Sequence, residues 1–162
     1  SQFGVTIRWT REDQGLETAG GIINALPLLG AEPFILVNGD VWTTFDFASL
    51  LDVNLNDDLA HLVFVANPEQ HPNGDFTLAD GRAYTFDQQQ QGENLTFSGV
   101  SIIHPKMFDG LENGKRPLAP LLKQGMSDGR VSAEKMQSAW VDVGTPERLT
   151  ALDLQIRQGQ HN

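Results

Sequence analysis

The chain contains no cysteine, a single tyrosine, and only 11 lysines and arginines against 21 aspartates and glutamates. Without cysteine there can be no disulfide and no thiolate metal centre. The four histidines form no His–carboxylate cluster at ligand spacing, which argues against zinc. The shortage of basic residues leaves a net charge of −10. No segment offers the basic patch with which a nucleic-acid binder neutralises phosphates. Long apolar runs are also missing. The longest, at 34–37 and 62–66, fall far short of the roughly 20 residues that span a bilayer. No charged-then-apolar leader marks the chain for export. The expectation is a soluble cytoplasmic domain with neither nucleic acid nor membrane as partner. No Ser–His pairing or G-x-S-x-G elbow supports nucleophilic catalysis.

What is present reads as one α/β domain over residues 1–162, a length that can bury a real core. Residues 5–9 (VTIRW) alternate and are β-branched, so a strand is expected. Residues 17–30 place apolar side chains at helical spacing, with Pro27 disturbing the last turn and Gly30 as the stop. The apolar run at 34–37 follows directly. Such a β-loop-α-β unit implies parallel pairing with a right-handed crossover. Further strands are expected at 61–66, 95–103, 131–136 and 139–143, with a short helix at 46–51 capped by Asp46 and another at 117–125. Asp80-Gly81 between two alternating segments predicts a hairpin. The glutamine run 88–91 reads as a loop. Residues 146–157 form an amphipathic helix with Thr145 as N-cap and Pro146 in its first position.

The chemistry-bearing residues are two acids at strand ends, Asp40 in F-I-L-V-N-G-D and Asp142 in A-W-V-D-V-G-T. In open α/β sheets ligands bind just outside the carboxyl ends of such strands. Two carboxylates meeting there would suit Mg²⁺, which takes one or two carboxylates and fills its shell with water and substrate phosphates. That points to metal-assisted chemistry on a phosphate ester. A lone N-G-D is also an ordinary turn sequence, so the combination carries the argument. Gly39 lets a ligand approach the backbone beside Asp40, and Ala19-Gly20-Gly21 opens a helix with small residues. Gly99 weakens its strand unless a bulge or a ligand explains it. His71 reads as a surface loop histidine, and His61 and His104 read as structural.

These segments, in the order L-E-T-A-G-G, F-I-L-V-N-G-D, N-P-x-x-H-P-x-G-D-F, T-F-S-G-V-S and W-V-D-V-G-T-P, resemble the sugar-1-phosphate nucleotidyltransferases. Within that family the chain looks most like the uridylyltransferases acting on N-acetylmuramate 1-phosphate in peptidoglycan recycling. The resemblance implies a GT-A-like, Rossmann-type mixed and mostly parallel sheet flanked by helices. It implies transfer of UMP from UTP, or another nucleotidyl group from an NTP, to a sugar 1-phosphate with release of pyrophosphate. By the same resemblance, Asp40 and Asp142 are the metal-binding and catalytic acids, with Mg²⁺ as cofactor. Leu16, Glu17, Thr18 and Gly39 lie against the nucleotide, and Gly74, Asp75, Ser98 and Gly99 line the sugar. Ala19 stands where the subgroup often has glycine, a change the wider family tolerates.

The departure from the family is a missing G-x-G-x-R loop and the Pro-Lys pair that follows it. In the family that loop holds the triphosphate. The expectation is therefore a domain lacking its first strand and loop, with residues 5–9 short of a neighbour and an open sheet edge. Three alternatives stand beside the enzyme. They are a non-catalytic nucleotide-sugar-binding unit, a mannose- or glucose-1-phosphate nucleotidyltransferase, and a metal-dependent glycosyltransferase. The last is disfavoured because the acid stands in N-G-D and not D-x-D.

Overall fold

The computed structural model describes residues 4–159. Helix α1 (Glu17–Leu29) turns Ala19, Ile22 and Ile23 inward, as their spacing requires. It closes where the N–H of Gly30 donates to the carbonyl of Leu26. Strand β1 (Phe34–Val37) follows, then a turn at 38–40 into β2 (Val41–Thr43). A 3₁₀ helix, Phe47–Asp52, is capped as expected, with the Asp46 carboxylate accepting from the N–H of Ala48 at 3.0 Å. Strand β3 (Ala60–Val65) is buried throughout. The hairpin β4 (Phe76–Ala79) and β5 (Arg82–Tyr84) turns at Asp80-Gly81. Next come β6 (Glu93–Ile103), α2 (Ala119–Ser127), β7 (Val131–Lys135), β8 (Trp140–Asp142) and α3 (Pro146–Arg157).

The main sheet runs β1-β6-β3-β7-β5-β4, with β4 pairing also to the first residues of β6. The mixed α/β architecture is as expected from the sequence. One detail differs. Strands β1, β3, β4 and β7 point the same way, but β6 is interleaved between β1 and β3 and runs against both. Among the described residues only the β3–β7 ladder is parallel. A continuous apolar strand shows that both faces are covered, and says nothing about the direction of its neighbours. Here Leu62 and Phe64 face α1 and α2 in one core cluster, and Val63 and Val65 face Leu50, Leu55 and Met136 in the other.

The expected strand at 5–9 does not form. Val5, Ile7 and Trp9 are exposed, Trp9 by 82%. The expected β-loop-α-β unit thus lacks its first strand, and β1 bonds to β6 alone among the described residues. A β-branched alternating segment gains its stability from cross-strand partners, and among the described residues this one pairs with no strand, the outer edge of β1 included.

His61 is buried in β3, its Nδ1 3.0 Å from Ser132 Oγ, while Nε2 has no hydrogen-bond partner and stands 3.7 Å from Glu134. Burial lowers its pKa below the ordinary value, against the opposing pull of Glu134 and Asp58. The folded state therefore binds this proton less readily than the unfolded chain does. The stability contributed is complete above about pH 6.5 and is lost as pH falls from there through the folded-state pKa. Urea unfolding midpoints measured at pH 7.5 and 5.5 should fall on acidification, and the fall should shrink in His61→Gln. An equal fall in both proteins would remove His61 as its source.

Candidate active site

The second, two-stranded sheet brings the two acids together. Strands β2 and β8 pair antiparallel with Val41 opposite Asp142, and the N–H of Val143 donates to the carbonyl of Asp40 at 2.8 Å. Gly144 stands between the carboxylates. The point where a Cβ on Gly144 would lie is 3.0 Å from an oxygen of Asp40 and 3.0 Å from one of Asp142. Their nearest oxygens are therefore at most about twice that distance apart. Asp142 is held twice, by the N–H of Gly144 to Oδ1 at 2.8 Å and by Arg148 Nη1 to Oδ2 at 3.0 Å.

Arg148 comes from the first turn of α3, where Thr145 Oγ1 accepts from its backbone N–H at 3.3 Å. Thr145→Ala removes that cap and is expected to cost about 1 kcal/mol, a fall of roughly 2–4 °C in Tm for a chain of this size. A differential scanning measurement that shows no change would mean the cap contributes nothing here.

A bulge in β6 aligns the rest. Val63 and Val100 pair, but the next residue of β3, Phe64, pairs with Phe97, so Ser98 and Gly99 are extra. Bulges of this kind re-aim side chains beside functional sites. The carbonyl of Gly99 accepts from the N–H of Asn38 at 2.9 Å, and that of Ser98 accepts from Trp140 Nε1 at 2.8 Å. Gly99 has φ +80, and a Cβ there would meet the Asn38 side chain at 2.8 Å. Ser98 Oγ points into the sheet, donating to the carbonyl of Val63 at 2.6 Å, so its hydroxyl is not offered to a ligand.

Around the acids lies a cavity of about 190 Å³ whose wall includes Asn38, Asp40, His71, Ser98, Gly99 and Asp142. It shares Asn38 and Phe97 with an adjoining cavity of about 460 Å³, lined by Glu17, Thr18, Asp75, Pro117 and Leu118. A wider cleft of about 600 Å³, with Lys135, Trp140, Arg148 and Leu152 in its wall, also reaches Asp142.

Most of the residues singled out in the sequence therefore share one connected region. Asp40, Asp142, Ser98 and Gly99 face the smaller cavity, and Glu17, Thr18 and Asp75 the adjoining one. The other three, Leu16, Gly39 and Gly74, do not line these cavities. Leu16 is engaged through its backbone, its carbonyl accepting from Arg116 at 2.9 Å, and Gly39 has open space where a side chain would stand. Gly74 is buried at φ +69 and shapes the turn that sets Asp75 in place. Asp75 accepts from Phe97 N–H at 2.9 Å through one oxygen and meets His71 Nε2 at 3.0 Å through the other.

Sequence reasoning passed over His71, Asn38, Trp140 and Arg148. The i,i+4 spacing of His71 and Asp75 across a Pro-Asn-Gly turn was the available signal for the first. For Arg148 it was a cation three residues into a helix that opens just after the acid.

The donor set tests what the site can hold. Among the described residues no group of three or more His, Cys, Asp or Glu side chains could hold a metal. A converging pair of carboxylates in an open cavity fits a hard cation that completes its shell with water and phosphate oxygens, and does not fit a closed all-protein metal cage.

The model of the nucleotidyl transferase family matches residues 1–159. The chain is 47% identical over 157 residues to an N-acetylmuramate alpha-1-phosphate uridylyltransferase of Neisseria meningitidis, covering 92% of this chain and 66% of that protein. It is 29% identical over 153 residues to the enzyme of that name from Caulobacter vibrioides, covering 90% of this chain and 63% of that one. The chain thus spans slightly less than two thirds of the length of these relatives. Among solved structures, a putative glucose-1-phosphate thymidylyltransferase from Bacillus anthracis superposes with a TM-score of 0.78 over 96% of this chain and 67% of its own, at 15% identity. A shared fold with that structure and a family match along nearly the whole chain agree, and the chain belongs to the nucleotidyl transferase family.

Proposed function

We propose that the protein serves the transfer of UMP from UTP to N-acetylmuramate 1-phosphate, giving a UDP-sugar and pyrophosphate in cytoplasmic peptidoglycan recycling. The observation that carries this reading is the convergence of Asp40 and Asp142 on Gly144 at the mouth of a cavity. The similarity to the Neisseria protein supports the choice of base and sugar.

The sugar-phosphate oxygen attacks the α-phosphorus in line. A P–O bond forms there, the α–β phosphoanhydride bond breaks, and pyrophosphate leaves. The attacking oxygen is already ionised, so no general base is required. Asp40 and Asp142 would hold Mg²⁺, which when bound would supply charge neutralisation for the phosphates. Glu17 and Thr18 flank the nucleoside, with Leu16 shaping the backbone beside Glu17 and Gly39 the backbone beside Asp40. Asp75, fixed by His71 and the Phe97 N–H, orients sugar hydroxyls beside Gly74, Ser98 and Gly99. The work of the chain is positioning and electrostatic stabilisation.

The test is pyrophosphate release from UTP and N-acetylmuramate 1-phosphate with Mg²⁺, run beside GTP with mannose 1-phosphate and UTP with glucose 1-phosphate. Preferred turnover of the first pair supports the reading. Preference for another pair would reassign the substrate. Binding of UDP-N-acetylmuramate without turnover would point to a nucleotide-sugar-binding unit instead.

A further inference from the structure

We propose that Arg148 is a built-in counter-cation for the Asp40–Asp142 pair, holding Asp142 while no divalent cation is bound and competing with that cation for its carboxylate. The inference rests on the reading that the acid pair binds a divalent cation.

Three features of the geometry lead to it. First, the guanidinium pairs with Asp142 and reaches toward the point on which both acids converge. Nη1 is 3.0 Å from Asp142 Oδ2, and Nη2 is 3.4 Å from the same Gly144 point that both carboxylates approach at 3.0 Å. Two neighbouring carboxylates on a chain of net charge −10 repel each other unless a cation stands by. Second, the guanidinium is loosely anchored. Its Nε is buried and makes no hydrogen bond, and its wall of the 600 Å³ cleft leaves room for the head to withdraw. Third, Asp142 does not depend on Arg148 for its orientation, because the Gly144 N–H holds Oδ1 separately at 2.8 Å. Removing the arginine therefore removes a competing charge and leaves the ligand in place. Without metal the ion pair prevents carboxylate repulsion. With metal and substrate the displaced guanidinium remains next to the phosphates as a positive charge.

The experiment is titration of the protein with Mn²⁺, following the free-ion electron paramagnetic resonance signal, for wild type, Arg148→Gln, Arg148→Lys and Asp40→Asn. Thermal unfolding is recorded with and without the ion. Arg148→Gln is expected to bind Mn²⁺ about three- to tenfold more tightly, because a positive charge competing for the Asp142 carboxylate has gone. Arg148→Lys should stay within about twofold of wild type. Arg148→Gln should have a lower Tm than wild type without metal and gain more on adding Mn²⁺. A merely structural role would lower Tm without raising affinity. Binding that is lost in Asp40→Asn but unchanged or weaker in Arg148→Gln overturns the competition. No saturable binding in either wild type or Arg148→Gln overturns the metal reading of the acid pair itself.

Discussion

Asp40→Asn is expected to lower nucleotidyl transfer by about 10³-fold or more while shifting the unfolding midpoint by no more than about 1 °C. Asp40 is exposed, and among the described residues no hydrogen bond or ion pair holds its carboxylate. What ties residue 40 to the fold is its backbone carbonyl, which accepts from Val143, and asparagine keeps that bond. The substitution preserves shape and removes one charge. On the proposed reading a cation would then face Asp142 alone, whose two oxygens already engage Gly144 and Arg148. A neutral amide oxygen is a poor ligand for a hard dication, and the phosphates lose the charge that offsets theirs. Pyrophosphate release and circular dichroism on the same preparation decide the matter. Loss of activity together with loss of fold would make Asp40 a structural residue.

The second large effect is on stability. Gly74→Ala is expected to cost roughly 2–5 kcal/mol, from about 1–2 kcal/mol for a side chain in the left-handed region and about 1–3 kcal/mol for overpacking. The position has φ +69, and a Cβ would lie 2.6 Å from the Leu95 carbonyl oxygen and 2.7 Å from Asn67 Oδ1. The first of these is backbone in the paired part of β6 and cannot step aside as a flexible side chain would. Asn67 is itself committed, donating to the carbonyls of Pro72 and Asn94 and accepting from Thr96. Relief must come from moving the turn, which breaks the bond from Asp75 N–H to the Leu95 carbonyl at 2.8 Å. Asp75 would then lose its hold on Phe97. A Tm lower by around 10 °C, with weaker binding of the sugar ligand, is the expected pair of results. An unchanged Tm would show that the loop can relax without cost.

Local signals were read correctly and long-range ones less so. The bounds of α3 followed from Thr145, Pro146 and the apolar period, because a helix start is written in adjacent residues. The Asp80-Gly81 turn was legible for the same reason. Residues 5–9 carry a strand pattern but pair with no strand among the described residues, and a pattern cannot report its partner. The insertion of β6 against β1 and β3 depends on contacts between residues roughly thirty to seventy positions apart, which periodicity does not encode. At the site, Asp40 and Asp142 stood out as acids ending apolar strands. Ser98 also stood out, yet its hydroxyl turns inward, since a bulge reverses the alternation that a regular strand would predict. Arg148 was hidden because on an amphipathic helix a cation reads as solvated surface until the neighbouring acid is placed.

The bulge in β6 has a mechanical consequence. Asn38, which it bonds through Gly99, lies two residues before Asp40, and Trp140, which it bonds through Ser98, lies two residues before Asp142. Both acids hang from adjacent peptide groups of a single strand. Slow breathing of the sheet would move them in common mode, so the spacing between them is insulated from motions that shift them against the adjoining cavity. On the proposed metal reading, the spacing offered to a cation would then hold even where the adjoining cavity shifts.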